Sequence, residues 1–288
     1  MATLKRNHHY VPQFWQKLFV SPSGSLYARG GATAKLASPK RLMSADWIYT
    51  AFDQNWLASD TIEDSLSHAE AAASAACRSL VAGTLVPSVP VQQTLRHFIA
   101  LQACRHPDVL DRGHRLAKKL GAVLARAHSM TDTEFGDALL PFGVGANDAQ
   151  AMFVALKTRA PEALELEFQE LEKLTPHDPQ LPHTEALKAL SLIEGQLATM
   201  DIFVLDAAPP LEFVLGDTPV PQNDLWKGFV VPIARTVALS FQPTQHTGAP
   251  SCTRRAATPA DVAASNQWQF QNAAKVTVGS NAALLNAL

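Results

Sequence analysis

Three cysteines in 288 residues (Cys77, Cys104 and Cys252) are too few and too scattered for a disulfide framework, and they suit a reducing compartment. No run of about 18 consecutive apolar residues occurs, which excludes an obvious membrane-spanning helix. Met1 to Pro12 carries Lys5, Arg6, His8 and His9 with no apolar block behind them. That is the pattern of a chain without a secretory signal, and the expected location is cytoplasmic, with no membrane partner. Charged residues make up 17% of the chain and the net charge is -2, too little to hold it extended, while 47% hydrophobic content is enough to build a core. Catalytic and metal signatures are missing too: there is no Cys-x-x-Cys, no His-Glu-x-x-His, no P-loop and no Gly-x-Ser-x-Gly. Gly143-Val144-Gly145 lacks the third glycine and downstream acid of a dinucleotide site. The sequence therefore points to no metal and leaves any cofactor unknown.

What is present is segregated charge. Residues 1–45 hold seven bases and no acid, whereas residues 46–76 hold six acids and no base. Basic excess returns over 96–126, and after Asp224 the only acid is Asp261 against five bases. Blocks of this kind either pair across the fold or line a positive cleft that attracts anions.

The pattern along the chain predicts an α+β fold, with a mostly helical middle and a small, mainly antiparallel sheet built from N-terminal and C-terminal strands. Residues 8–18 read as an edge strand or extended entry, because Pro12 lacks a backbone donor. Residues 25–31 read as one arm of a hairpin. Asp60 and Glu63 have capping-box spacing, and the apolar positions behind them recur at helical intervals up to Gly83. Further helices are expected over 89–105, 109–127, from Thr131, from Pro161 to Leu174, over 183–199 and over 261–274. On the 89–105 helix, Leu95, Phe98, Ile99 and Gln102 share one face. Strand-like runs cover 202–205, 211–215, 229–231 and 237–241, with a last strand at 275–278. The organisation expected is a single domain over 1–288, with a subdomain seam at 174–182 where three prolines fall.

Asn7-His8-His9-Tyr10-Val11-Pro12-Gln13-Phe14 is the least ordinary segment. It resembles the opening signature of a bacterial family known as domain of unknown function 4238. In order along the chain, Gly24 to Tyr27, Ser38 to Tyr49, Leu66 to Glu70, Phe98 to Pro107 and Phe213 to Val220 are similar to further elements of that family. Gly216 stands where the family usually has serine, and His106 intervenes between Arg105 and Pro107. Ser265-Asn266 falls where members carry an asparagine. The resemblance implies no activity, but it directs attention to a set of residues.

His9, Asp217 and Arg105 are the candidate catalytic residues, and His8, Tyr10, Gln13 and Asn266 the candidate substrate-binding residues. A histidine near neutral pH serves as a base, a ligand or a hydrogen-bond donor, or it anchors its strand. In an extended strand His8 and His9 face opposite sides. Asp217 follows an apolar run and precedes Pro219, so its carboxylate either acts chemically or binds amides of its own turn. Arg105 either clamps an anion or serves its helix end. Cys104, between His97 and His106, reads as buried packing rather than a nucleophile. Two functions are expected from this set: a non-catalytic interaction module, perhaps of a conflict or stress system, with a protein partner; or a hydrolase of phosphodiester or other anionic substrate, with an anionic ligand or nucleic acid as partner.

Overall fold

The computed structural model describes residues 5–46, 48–52, 58–83, 85–142, 144–164 and 180–288. The chain falls into two compact units, one made of Met1–Pro107 with Leu187–Leu288 and the other of Asp108–Ala186. The first unit carries every candidate site residue.

Its N-terminal part runs β1 (Asn7–His9), α1 (Gln13–Lys17), β2 (Tyr27–Arg29), β3 (Lys35–Leu36), β4 (Ser44–Asp46), β5 (Ala51–Phe52), β6 (Ala58–Ser59), α2 (Thr61–Ala82) and α3 (Val89–Cys104). The predicted edge strand is thus shorter than expected. Pro12, with φ -55° and ψ 141°, sits outside the first turn of α1, where its missing N–H costs nothing, so residues 13–17 coil into a helix. The Asp60–Glu63 capping box does not form. Asp60 precedes α2 without a side-chain cap, and its Oδ2 instead accepts the backbone N–H of Lys5 at 3.0 Å.

The second unit contains most of α4 (Pro107–Ala125), then α5 (Asp132–Leu139) and α6 (Ala146–Lys157). Thr131 and Glu134 make a reciprocal capping box at the start of α5. Phe135, Leu139, Val123, Ala127 and Ala149 form this unit's core. Residues 161–164 are helical, as expected after Pro161, but residues 165–179 of that predicted helix and the seam at 174–179 lie outside the described residues. The chain then enters α7 (Gln180–Ala198), which includes 180–182 of the expected seam.

Back in the first unit come β7 (Met200–Asp206), β8 (Leu215–Gly216), β9 (Phe229–Ala234), β10 (Val237–Pro243), β11 (Cys252–Ala256), α8 (Pro259–Asn272), β12 (Thr277–Gly279) and α9 (Ala282–Asn286). One four-stranded sheet has the order β11-β7-β10-β9, antiparallel except for the β11–β7 edge. The other has the order β3-β2-β12-β8, so a hairpin from the N-terminal part pairs with strands from the C-terminal part, as the sequence predicted. Trp15, Phe19, Phe98, Ile99, Val204, Phe213, Leu239 and Val278 are buried in this unit. The α+β class holds. β11 was not foreseen: it is an edge strand whose Arg254 binds Asp206 of β7 through two hydrogen bonds of 2.7 and 2.6 Å. Among the described residues no helix is long and apolar enough to cross a membrane.

Gly216 lies in β8 directly beneath α8. A Cβ built there would come within 2.6 Å of the Gln269 backbone oxygen, closer than any relaxed contact. Gly216→Ser is therefore expected to destabilise the protein by about 1–3 kcal/mol in urea denaturation, and an unchanged midpoint would contradict the packing described here.

Candidate functional site

β1 delivers the signature histidines by pairing with β4, His8 opposite Ala45 and His9 opposite Ser44. The amides of Tyr10 and Val11 then both bond the Met43 carbonyl, at 3.0 and 3.4 Å, which carries the chain out of the strand. Inside α1, Gln16 is fully buried and its amide nitrogen donates to the carbonyls of Val11 and Leu42 at 2.8 and 3.3 Å. Trp15 reaches the other direction, donating to the Pro232 carbonyl at 3.1 Å while its ring packs edge-on against Phe98. The signature is anchored on both sides before any chemistry is considered.

His8 is buried, and both ring nitrogens are engaged. Nε2–H donates to the Lys5 carbonyl at 2.9 Å and Nδ1 accepts the Tyr49 N–H at 2.9 Å. This fixes the neutral tautomer, and burial holds its pKa below the ordinary histidine value. His9, on the opposite face, is half-buried. Its Nε2–H donates to the Pro39 carbonyl at 3.1 Å, and the Gln13 amide donates to its Nδ1 at 3.5 Å. Desolvation lowers its pKa as well.

Arg105 ends α3 and is 3% exposed. Its Nη1 meets Glu70 of α2 at 2.7 Å, its Nη2 donates to the His9 carbonyl at 2.5 Å, and its Nε donates to the Tyr49 hydroxyl at 3.3 Å. The Tyr49 hydroxyl in turn donates to the Arg105 carbonyl at 2.6 Å. Gln102, with its amide oxygen turned toward Arg105, accepts from Nη1 at 3.2 Å and donates to the Tyr10 carbonyl at 3.1 Å. The guanidinium is thereby spread over β1, α2, α3 and Tyr49. Glu63 stands nearby, its carboxyl pushed above the ordinary range by burial, against the pull of Arg105.

Asp217 forms a second knot. It is fully buried, and it accepts the backbone N–H groups of Ala274 at 2.7 Å, Lys275 at 2.9 Å and Val276 at 3.3 Å. The Tyr10 hydroxyl donates to its Oδ2 at 3.4 Å. Burial raises the Asp217 pKa, while the three amide bonds and the nearby His106 act the other way. The Tyr10 ring meets His106 edge-on at 4.9 Å, and His106 Nε2 lies 3.5 Å from the Thr218 hydroxyl.

Asn266, in α8, binds the segment that leads to Asp217 but makes no hydrogen bond to Asp217 or Arg105. From α8 it accepts the Val214 N–H at 2.9 Å and donates to the Glu212 carbonyl at 2.8 Å. Gln269, one turn on, repeats the pattern on the Gly216 N–H and the Pro219 carbonyl, at 2.8 and 3.0 Å. These two amides dock the helix on a segment that, among the described residues, has no strand partner on that side.

The structure thus joins His9 to Arg105 and Tyr10 to Asp217, with Gln13 beside His9 and His8 behind them. Tyr49, Glu70, Gln102, His106 and Gln269 complete the arrangement without having been candidate site residues. Gln102 gave one signal, a polar residue on the apolar face of a helix. Cys104 is buried and its thiol is pushed up to about 11, far from a thiolate at neutral pH. Among the described residues no group of three or more His, Cys, Asp or Glu is placed to hold a metal ion.

A family model described as "Protein of unknown function (DUF4238)" matches residues 7–283, nearly the whole chain. No curated protein and no solved structure matches the chain.

Protonating His8 breaks its bond from the Tyr49 amide. Its folded pKa is depressed, so its contribution to stability is present above 6.5 and is lost as pH falls below that value toward the folded pKa. Imidazole nitrogen NMR should find His8 neutral, with the proton on Nε2, at a pH where a free histidine is half protonated. A half-charged ring at that pH would contradict the geometry.

Proposed function

The chain belongs to the DUF4238 family, and from that premise we propose that it is a non-catalytic interaction module whose signature residues clamp the fold from within. One observation supports this reading above the others. The Arg105 guanidinium and the Asp217 carboxylate are both buried, with most of their hydrogen-bonding capacity taken up by groups of the same chain. A residue that clamps an anion or transfers a proton needs an atom left for the substrate. Here both groups are turned inward, and freeing any of the bonded atoms breaks a buried hydrogen bond and leaves its partner unsatisfied at about 1–3 kcal/mol.

The alternative is a hydrolase of phosphodiester or another anionic substrate. His9 would then have to leave Pro39 or Gln13 to meet a reacting group, and Arg105 would have to release Glu70 or the His9 carbonyl. Within the basic N-terminal block, Lys5 bonds Asp64 at 3.3 Å and Arg6 bonds Asp46 at 2.8 Å, so these two charges are taken up by the acidic block that follows.

The two readings separate on paired measurements. Arg105→Gln and Asp217→Ala each break a buried network, a loss of about 3 kcal/mol or more. Each should lower the melting temperature by about 6 °C or more. The wild-type protein, incubated with DNA and RNA with and without divalent metal ions, should leave both intact. Cleavage abolished by His9→Ala without a change in melting would overturn the proposal.

A further inference from the structure

Behind the loop that Asp217 holds lies an open cavity of about 250 Å³. It is lined by Arg29 and the Gly30-Gly31 turn after β2, by Phe270 near the end of α8, and by Lys275 and Thr277 before and in β12. Two of the residues lining it carry positive charge and none carries negative charge. Arg29 is held in place: its Nε donates to the Gly31 carbonyl at 3.1 Å, its Nη1 donates to the Leu285 carbonyl at 2.6 Å, and its guanidinium lies 4.5 Å from the centre of the Phe270 ring. Those contacts leave Nη2 without a hydrogen bond among the described residues. Lys275 is exposed.

Thr277 supplies a separate observation. It pairs directly opposite Arg29 in the sheet, so the two side chains leave on the same face, the face covered by Phe270. Thr277 is fully buried, yet its hydroxyl has no hydrogen-bond partner. A buried hydroxyl without a partner is costly and rare in folded proteins, and it marks a place where a polar group is accommodated. An oxyanion satisfies it, together with the cations, in a way that a neutral apolar ligand does not.

We propose that this cavity binds a small phosphate monoester, its phosphate met by Arg29 and Lys275 and its organic part lying against Phe270. The fixed guanidinium suits phosphate, since the geometry that an arginine must adopt to bind it is already imposed by the protein. The volume admits a small molecule and excludes a nucleic-acid duplex. Gly31, with open space where a Cβ would stand, lets a ligand approach the backbone, whereas Gly30 is packed against the loop, because a Cβ there would come within 2.6 Å of the Lys275 carbonyl oxygen. The amides of residues 274–276 point away from the cavity into Asp217, so the clamp sets the position of Lys275 without entering the site. This inference goes beyond the interaction-module reading and does not depend on it.

The test is an amide NMR titration of the full chain with phenyl phosphate and with inorganic phosphate, at constant ionic strength held with chloride. Phenyl phosphate should saturate, bind more tightly than inorganic phosphate, and shift the amides of Gly30, Gly31, Lys275 and Thr277. Lys275→Glu, which alters an exposed side chain, should melt like the wild type and weaken binding by at least about tenfold. Arg29→Lys, which keeps the charge but loses the geometry, should weaken it as well. The proposal is overturned by any of three results: no saturation below about 10 mM, no preference for phenyl phosphate, or unchanged affinity in Lys275→Glu. Arg29 and Lys275 would then serve only to offset the negative carbonyl ends of α8 and α9. Because Lys275→Glu leaves the Asp217 clamp intact, failure here says nothing against the interaction-module reading.

Discussion

The buried carboxylate of Asp217 is the constraint on which the rest of the first unit depends. It meets Tyr10 from the opening segment and three consecutive amides from the segment that enters β12. Those amides follow the end of α8, where backbone groups have no helical partner, and a loop cannot bury them unpaired. A carboxylate accepting several amide hydrogen bonds is among the stronger arrangements a protein interior offers. Without it, the sheet β3-β2-β12-β8 would lose the fixed entry of its central strand, and the N-terminal hairpin would lose the partner it pairs with.

Arg105 performs the complementary task for the helical side. Its guanidinium bonds two helices, the first strand and Tyr49, and its burial is compatible with stability because Glu70 supplies a countercharge and carbonyls or hydroxyls take much of the rest. The two knots share the signature strand: Arg105 holds the His9 carbonyl, and the next residue, Tyr10, holds Asp217. Gln102 links them, since it contacts both Arg105 and the Tyr10 carbonyl. The unusual run of His, Tyr, Pro and Gln is accounted for by this arrangement. His8 needs both ring nitrogens, Tyr10 needs its hydroxyl, and Pro12 starts the helix that buries Gln16.

Much of this was legible in the sequence at the level of elements. The helix around Leu95, Phe98 and Ile99, the helix start at Thr131 and the sheet joining the two ends all follow from local pattern. Three features did not. Pro12 reads as a strand-edge residue and equally as a residue outside a first helical turn, and only the packing of Trp15 decides between them. Asp60 and Glu63 have the spacing of a cap, but the Lys5 amide competes for the same carboxylate. β11 shows no apolar alternation because it is an edge strand held by the Arg254–Asp206 pair. At the candidate site, the residue types were visible but their partners were not: nothing local says that Asp217 will face residues 57 to 59 positions later. The choice between a chemical group and an internal clamp lies in those long-range contacts.

The most direct test of the clamp is native-state hydrogen exchange at Ala274, Lys275 and Val276. These residues are exposed or half-buried and lie outside any helix or strand, so an ordinary loop there would exchange rapidly. If the Asp217 carboxylate holds their amides as described, all three should be protected to nearly the free energy of global unfolding, and Asp217→Ala should abolish that protection. Exchange of these amides at the rate of exposed loops in the native protein would contradict the account.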